Sequence, residues 1–465
     1  MTLDNERRQS AEDLRSLLEW AAGLDASAIP SGTLRRAATI LLDDVSAMVA
    51  PRDEAELLRF LDRSAKPREG GESTVFLDAR RVSREQAAMA NAAACCWCQL
   101  DEGYRKTSCH AGLYVLPALL AEAEASDLSV GDVLRALVLA YEVVTRVAST
   151  WPRTGSPHHV HAQYSGVGAA SAVAFARRLP PDVMMDAVAG AATLSPIGPL
   201  VQMVDGGLVS NFYAAVGARA GMQAVDWAEI GVGGLDSALH DVFGTSRGGT
   251  FKPGHLCSDL GTVWSVNFGF HKRYAACQRL HAGADAVVDL VRTLPDHQRG
   301  RRIRRMVIRT HDHQLAGTEP RNSLATRFSF PHALAAMVVL GHGEASAFGG
   351  ATLLDSDIVA LREKVEVVPY DPPLAWPEDR AVAVSVVMDD GALFEKECRI
   401  AHGSPDNPLS EEEVLDKARA LSSPAFPMLV PVLRELMEAP EKAAKLAWRS
   451  VVSRITARPS VAAAR

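Results

Sequence analysis

The chain predicts a mainly α protein with a smaller α+β unit set into it, and three observations carry that prediction. Apolar residues recur at helical spacing through the first 265 residues, β-like segments with a hairpin signal are confined to the stretch after about 266, and a capped helical pattern returns after 400. The expected boundaries are therefore 1–265 for the first part of a large all-helical domain, 266–400 for the α+β domain and 401–465 for the helical domain's return.

In order along the chain, Leu14, Leu17, Leu18, Ala21 and Leu24 define a first helix. Beyond Pro30-Ser31, the series Leu34, Ala38, Leu41, Val45, Met48 and Val49 defines a second. The segments Gly166–Arg177 and Asp182–Leu194 are rich enough in Ala and Gly for helices to approach closely, as in a packed interior. Pro180-Pro181 and Pro196-Ile197-Gly198-Pro199 punctuate them. Ile303–Thr310 reads as a strand and Phe330–Leu340 as a helix. Ala381–Met388 reads as a strand that turns through Asp389-Asp390-Gly391 into Phe394–Cys398, a hairpin. After the turn-forming run Gly403–Pro408, Ser410 and Glu413 stand at capping-box spacing. From about Thr456 the chain is expected to fray.

A chain of 465 residues, 48% hydrophobic and 23% charged, is long enough for two globular domains and is neither collagen-like nor disordered. Its net charge of -7, without a dominant basic block, excludes a nucleic-acid or anionic-membrane surface as the expectation. The exception, Arg299, Arg301-Arg302 and Arg304-Arg305, reads as a solvated strand entrance. The apolar run from Val133 to Val144 contains Arg135 and Glu142 and is too short to span a bilayer. Seven unevenly spaced cysteines argue for reduced thiols rather than a disulfide framework. Near the N-terminus, Arg7-Arg8 is followed by Glu12 and Asp13 and not by an apolar core, so a cytoplasmic protein is expected.

Chemistry concentrates in Leu100-Asp101-Glu102-Gly103-Tyr104-Arg105 and Ser108-Cys109-His110, where two carboxylates, a guanidinium and an imidazole fall between two helical patterns. His159, His161 and His281 come from other segments. Abstracting a proton next to a carboxylate and expelling hydroxide or carbon dioxide needs a base, an acid and cations to hold carboxylates. Histidines supply the first two, Asp101 can orient an imidazole, and Arg105 and Arg273 can grip carboxylates through two parallel N–H bonds. The alternative for either arginine is a surface ion pair, and for Arg273 the two readings stand level. Cys95, Cys98, Cys109 and His110 have zinc-ligand types, but the Cys95-x-x-Cys98 pair lies in an apolar helix without a second pair and reads as packed thiols. His311-Asp312-His313 lacks a third ligand nearby, and Gly206-Gly207 and Gly231-x-Gly233 do not follow strands, so neither metal nor nucleotide cofactor is expected.

The opening loop resembles the Leu-Asp-Phe-Asp-Asp-Thr…His-Pro element of the MmgE/PrpD family, which includes 2-methylcitrate dehydratases, cis-aconitate decarboxylases and an iminodisuccinate epimerase. His159–Ala170 is similar to the family's His-Pro-Thr-Gly-Thr-His-Gly-x-x-Gly-Ala-Ala, and Lys272–His281 to Lys-Pro-Tyr-Pro-x-Cys-x-x-x-His. Arg327–Ala333 and Asn407–Ser410 also match, in the family's order. The resemblance implies a helical domain with an α+β lid, a homodimer, and a cofactor-independent lyase acting on a small di- or tricarboxylic acid. It places His159 and His281 as acid/base residues, with His110 and Asp101 completing the site and Arg105, Arg273, His161 and Ser210 meeting substrate. Two departures stand out. Asp-Asp-Thr becomes Gly103-Tyr104-Arg105, and the family's Lys-Pro-Leu-His-Ala-Gly becomes Ser210–Ala215, so a serine occupies the lysine position and Arg105 is the candidate replacement charge. An epimerase using the same carbanion and a non-catalytic binding paralogue remain the alternatives.

Overall fold

The computed structural model describes residues 2–67, 70–153, 155–294 and 299–457. Its helical body opens with α1 (Leu3–Ala22), α2 (Ser31–Val49) and α3 (Ala55–Ser64), then a pair of two-residue strands, β1 (Ser73–Thr74) and β2 (Arg81–Val82). It continues through α4 (Arg84–Trp97), β3 (Gly103–Tyr104), α5 (Ala111–Ala125), α6 (Val130–Thr150), α7 (Val160–Ala176), α8 (Pro181–Thr193), α9 (Leu200–Val204) and α10 (Tyr213–Ala228). Helix α7 is the hub, packed by α5, α6, α8 and α10. Its small residues make that possible: a Cβ on Gly168 would stand 2.7 Å from the Tyr114 Cβ, so glycine is what lets α5 and α7 touch backbone to side chain.

After β4 (Gly269–Phe270) the chain enters the α+β unit: α11 (His281–Val291), α12 (Arg299–Arg302), β5 (Ile303–Thr310), α13 (Ser323–Thr326), α14 (Phe330–Leu340), α15 (Ser356–Arg362), β6 (Val365–Pro369), β7 (Val382–Met388) and β8 (Leu393–Cys398). The sheet order is β6-β5-β7-β8, parallel between β5 and β6 and antiparallel elsewhere. The hairpin, the strand Ile303–Thr310 and the helix Phe330–Leu340 stand where periodicity places them. Alternation explains the layering: β7 is buried, β8 alternates between cover and solvent, and α11 packs on both. The arginines ahead of β5 make exposed pairs, Arg301 with Asp357 at 2.9 Å and Arg302 with Asp389 at 3.0 Å, as a solvated strand entrance should; the Arg299 side chain lies outside the described residues.

The chain returns to the helical body through α16 (Glu411–Ser422), α17 (Leu429–Glu438), α18 (Pro440–Ala443) and α19 (Trp448–Thr456), of which α16, α17 and α18 pack on α2. Ser410 and Glu413 form the expected capping box. Most of the tail expected to fray, from residue 458 on, lies outside the described residues. The element that positions the site is small. Strands β3 and β4 pair antiparallel, Gly103 with Phe270 and Tyr104 with Gly269, which ties the acidic loop of the body to the segment leading into the lid. Among the described residues no helix is long and apolar enough to cross a membrane.

Candidate active site

The β3–β4 pair brings Asp101 and Lys272 together across 171 positions of sequence: the Lys272 ammonium, fully buried, donates to Asp101 Oδ1 at 3.0 Å. The second Asp101 oxygen, Oδ2, lies 2.6 Å from His110 Nδ1, which also lies 3.0 Å from the Glu102 carbonyl oxygen. Both neighbours of that nitrogen are acceptors, so Nδ1 carries a proton; in the neutral ring the lone pair then lies on Nε2. Burial alone would raise the Asp101 carboxyl. Lys272 and then His110 outweigh it and hold the group well below the usual carboxylate range.

His159 caps the N-terminus of α7. Its own backbone N–H donates to the Gly198 carbonyl at 2.8 Å, and its ring Nδ1 accepts the backbone N–H of His161 at 3.2 Å. Accepting at Nδ1 leaves the proton on Nε2, and burial followed by the neighbouring His110 pushes the pKa down to about 3. His159 is thus a neutral imidazole that donates from Nε2. His161, pushed well below its ordinary range by burial and then by His159, takes the Tyr114 hydroxyl at Nδ1 at 2.9 Å. The three rings are in contact, with centroids 4.3 Å apart for His159 and His161 and 4.9 Å for His110 and His161. Phe270, on β4, stands edge-on to His110 at 5.9 Å. A carboxylate-held imidazole whose neutral form has its lone pair on Nε2 can take a proton and later return it, and the neutral His159 ring beside it can donate a hydrogen bond.

The structure therefore brings together Asp101, His110, His159 and His161. It places the other candidates differently. His281, at the start of α11, meets the Ala276 carbonyl at 3.2 Å through Nε2 and the Tyr274 ring at 5.3 Å; burial and then Lys272 lower its pKa to about 3. Arg105 is buried and pairs with Asp379 of the lid and the Pro377 carbonyl. Arg273 is half exposed and meets His402 at 3.0 Å. Ser210 is fully buried, its hydroxyl donated to the Gly207 carbonyl at 2.7 Å.

Lys272 was not singled out by sequence reasoning, although it opens the Lys272–His281 motif. Nothing local distinguishes a lysine whose partner arrives from a distant loop. A second residue emerges beside Arg105 and Arg279: Arg380, half-buried, donates to Gln278 and has no carboxylate within ion-pair distance among the described residues, while Arg105 and Arg279 pair with Asp379 and Asp312. Cys95 and Cys98 pack apart, against the Asp44 carbonyl (3.7 Å) and the Arg327 guanidinium (3.8 Å). His311 accepts the Leu374 N–H at 2.9 Å and stacks on Tyr370. No group of three or more His, Cys, Asp or Glu among the described residues is arranged to hold a metal ion.

Comparison with known proteins places the whole chain. The chain is 26% identical to the cis-aconitate decarboxylase-like protein oryM of Aspergillus oryzae, across 88% of this chain and 90% of that protein. It is 24% identical to the cis-aconitate decarboxylase of Aspergillus terreus across 60% of each chain. The MmgE/PrpD N-terminal domain matches residues 15–249 and the C-terminal domain residues 274–430, and with both halves matched in order the chain belongs to the MmgE/PrpD family.

Proposed function

We propose that the protein is a lyase of the dehydratase or decarboxylase kind, acting on a small di- or tricarboxylic acid without a cofactor. The observation that carries this reading is the Lys272–Asp101–His110 chain set against the neutral His159. In this mechanism His110 Nε2 takes the proton from the carbon next to a substrate carboxylate. Asp101 stabilises the resulting imidazolium, with Lys272 keeping Asp101 ionised beforehand. In a dehydration the electron pair left on carbon expels hydroxide, which accepts a hydrogen bond from His159 Nε2–H, takes the proton back from the His110 imidazolium and leaves as water. In a decarboxylation no proton is abstracted first: the C–C bond to a carboxylate breaks, carbon dioxide leaves, the electron pair stays on carbon, and His110, protonated from solvent, passes that proton to the carbon. Arg380, the guanidinium without a carboxylate of its own, is the candidate to hold a second carboxylate.

The names of the Aspergillus relatives support the reaction class. The reading includes a reducing cytoplasmic location, in keeping with seven free cysteines. It also includes a homodimer: Ile197, Val201, Val209, Val216, Trp227 and Ile230 all face outward in the segment around α9 and α10, more apolar surface than one stretch of a monomer usually shows. The test is solvent deuterium exchange into citrate, aconitate, malate and aspartate, followed by NMR. Exchange with loss of water or carbon dioxide supports a lyase; exchange with inversion and no lost group replaces it with an epimerase; no exchange into any acid removes the proton-abstraction reading.

A further inference from the structure

The loop that leads into α7 walls a cavity that the proposed chemistry leaves unused. It encloses about 180 Å³ beside the C-terminal end of α6 and the first turns of α7. Trp151, Tyr164 and Phe243 give it aromatic walls, and Ser156 and Gln163 add polar groups. Its charged lining residues among those described are both cations, Arg153 and Arg247.

Arg247 is the unusual one. Only 8% exposed, it pairs with no carboxylate among the described residues. Its Nη2 donates to the Ser195 hydroxyl at 2.6 Å and to the Pro196 carbonyl at 3.2 Å, while Nη1 is buried with no partner at all. Burial lowers the guanidinium's pKa, the signature of a cation taken out of water without a counter-charge. A buried donor left unpaired costs stability that a bound acceptor would restore, and a bound anion restores more. A bare inorganic anion would satisfy the charge but leave the aromatic walls unfilled. A neutral apolar molecule would do the reverse.

We propose that this cavity binds a small organic carboxylate with an apolar body, its head group on the Arg247 guanidinium and its body against Trp151, Tyr164 and Phe243. The site is separate from the imidazole cluster but joined to it. Arg247 holds Ser195 and Pro196, and two residues later the Gly198 carbonyl holds the His159 backbone N–H. Occupancy at Arg247 therefore bears on the turn that orients His159.

The experiment is calorimetric titration of the full chain with butyrate, with butyramide and chloride as counter-probes. Saturable butyrate binding is expected in the millimolar range usual for so small a ligand, with butyramide and chloride at least about tenfold weaker. Arg247→Met should weaken butyrate by about tenfold or more. Because Arg247 also supports the Ser195–Pro196 segment, Thr107→Phe serves as a second variant. It narrows the cavity and leaves the guanidinium in place, and it should cost the same affinity. No saturable butyrate binding by the wild type, butyramide or chloride binding as tightly as butyrate, or unchanged butyrate affinity in either variant overturns the proposal.

Discussion

Asp101 shares one negative charge between an ammonium and an imidazole, and the two partners have separable effects. Lys272→Met removes one partner of a fully buried pair, so unfolding free energy should fall by about 3–5 kcal/mol in a denaturant titration. A loss under about 1 kcal/mol would mean that the carboxylate finds another partner. His110→Ala and His159→Ala leave that pair intact; each should lower kcat by about two to four orders of magnitude and cost only about 1–2 kcal/mol, the loss of one hydrogen bond or helix cap. Equal turnover by wild type and variants on the substrate found by deuterium exchange would remove the imidazole from the mechanism. Arg380→Met should raise KM by about tenfold or more and change kcat less, as expected for a group that holds a carboxylate in ground and transition states alike. If Arg105→Ala raises KM and Arg380→Met does not, the anchor is Arg105 despite its pairing with Asp379. Asp101 and His110 were legible because they lie within one ten-residue loop, and His159 and His161 only because the segment His159–Ala170 resembles the family's motif. Lys272 and Arg380 were not, because a buried cation is recognised by its partners and theirs come from other segments.

Helix crossings decide where those side chains point. The Ala- and Gly-rich run of α7 announced close packing, but not against which helix. Gly168 against Tyr114 of α5 sets the approach that carries the Tyr114 hydroxyl to His161. Gly168→Ala should therefore destabilise by about 1–3 kcal/mol through overpacking, and it should also lower kcat, because the strain displaces Tyr114. Thermal unfolding and turnover check both; full activity with lowered stability would detach Tyr114 from the site. Long periodic elements such as α2, α14 and the β7–β8 hairpin could be read from the chain. The pairs β1–β2 and β3–β4 could not, since two residues carry no alternation. That loss matters most at β3–β4, the link that brings lid to body.

At the scale of the whole molecule, the outward apolar series around α9 and α10 predicts a dimer. Sedimentation should show one for the wild type and a monomer for Val209→Glu combined with Ile230→Glu; a monomeric wild type would remove this face as an interface. A second global property follows from two carboxyls behind Asp101. Asp44 Oδ1 accepts the Glu102 backbone N–H at 2.7 Å, and Asp44 Oδ2 is buried without a partner. Its carboxyl is close to that of Glu102: a Cβ on Gly112 would lie 2.2 Å from Asp44 Oδ2 and 3.1 Å from Glu102 Oε2. Burial, and then the charge of Glu102, raises Asp44 well above its ordinary value of 3.8, while burial lifts Glu102 from 4.5 to about 7 against the opposing Tyr141 hydroxyl bond. For both groups the folded pKa lies above the unfolded one. Their protonated forms thus stabilise the fold fully below about pH 4, and that contribution is lost as pH rises through the folded values, around 7 for Glu102. Asp101 has the opposite sign, its contribution present above 3.8 and lost only as pH falls toward its depressed value. Asp44→Asn keeps the acceptor for the Glu102 N–H and replaces the raised carboxyl with a group that cannot ionise. The variant's melting temperature should consequently fall less than the wild type's between pH 5 and pH 8, while its acid limb, governed by Asp101, stays the same. Parallel melting profiles across pH 5 to 8 would show that ionisation of Asp44 does not contribute to the loss of stability on the alkaline side.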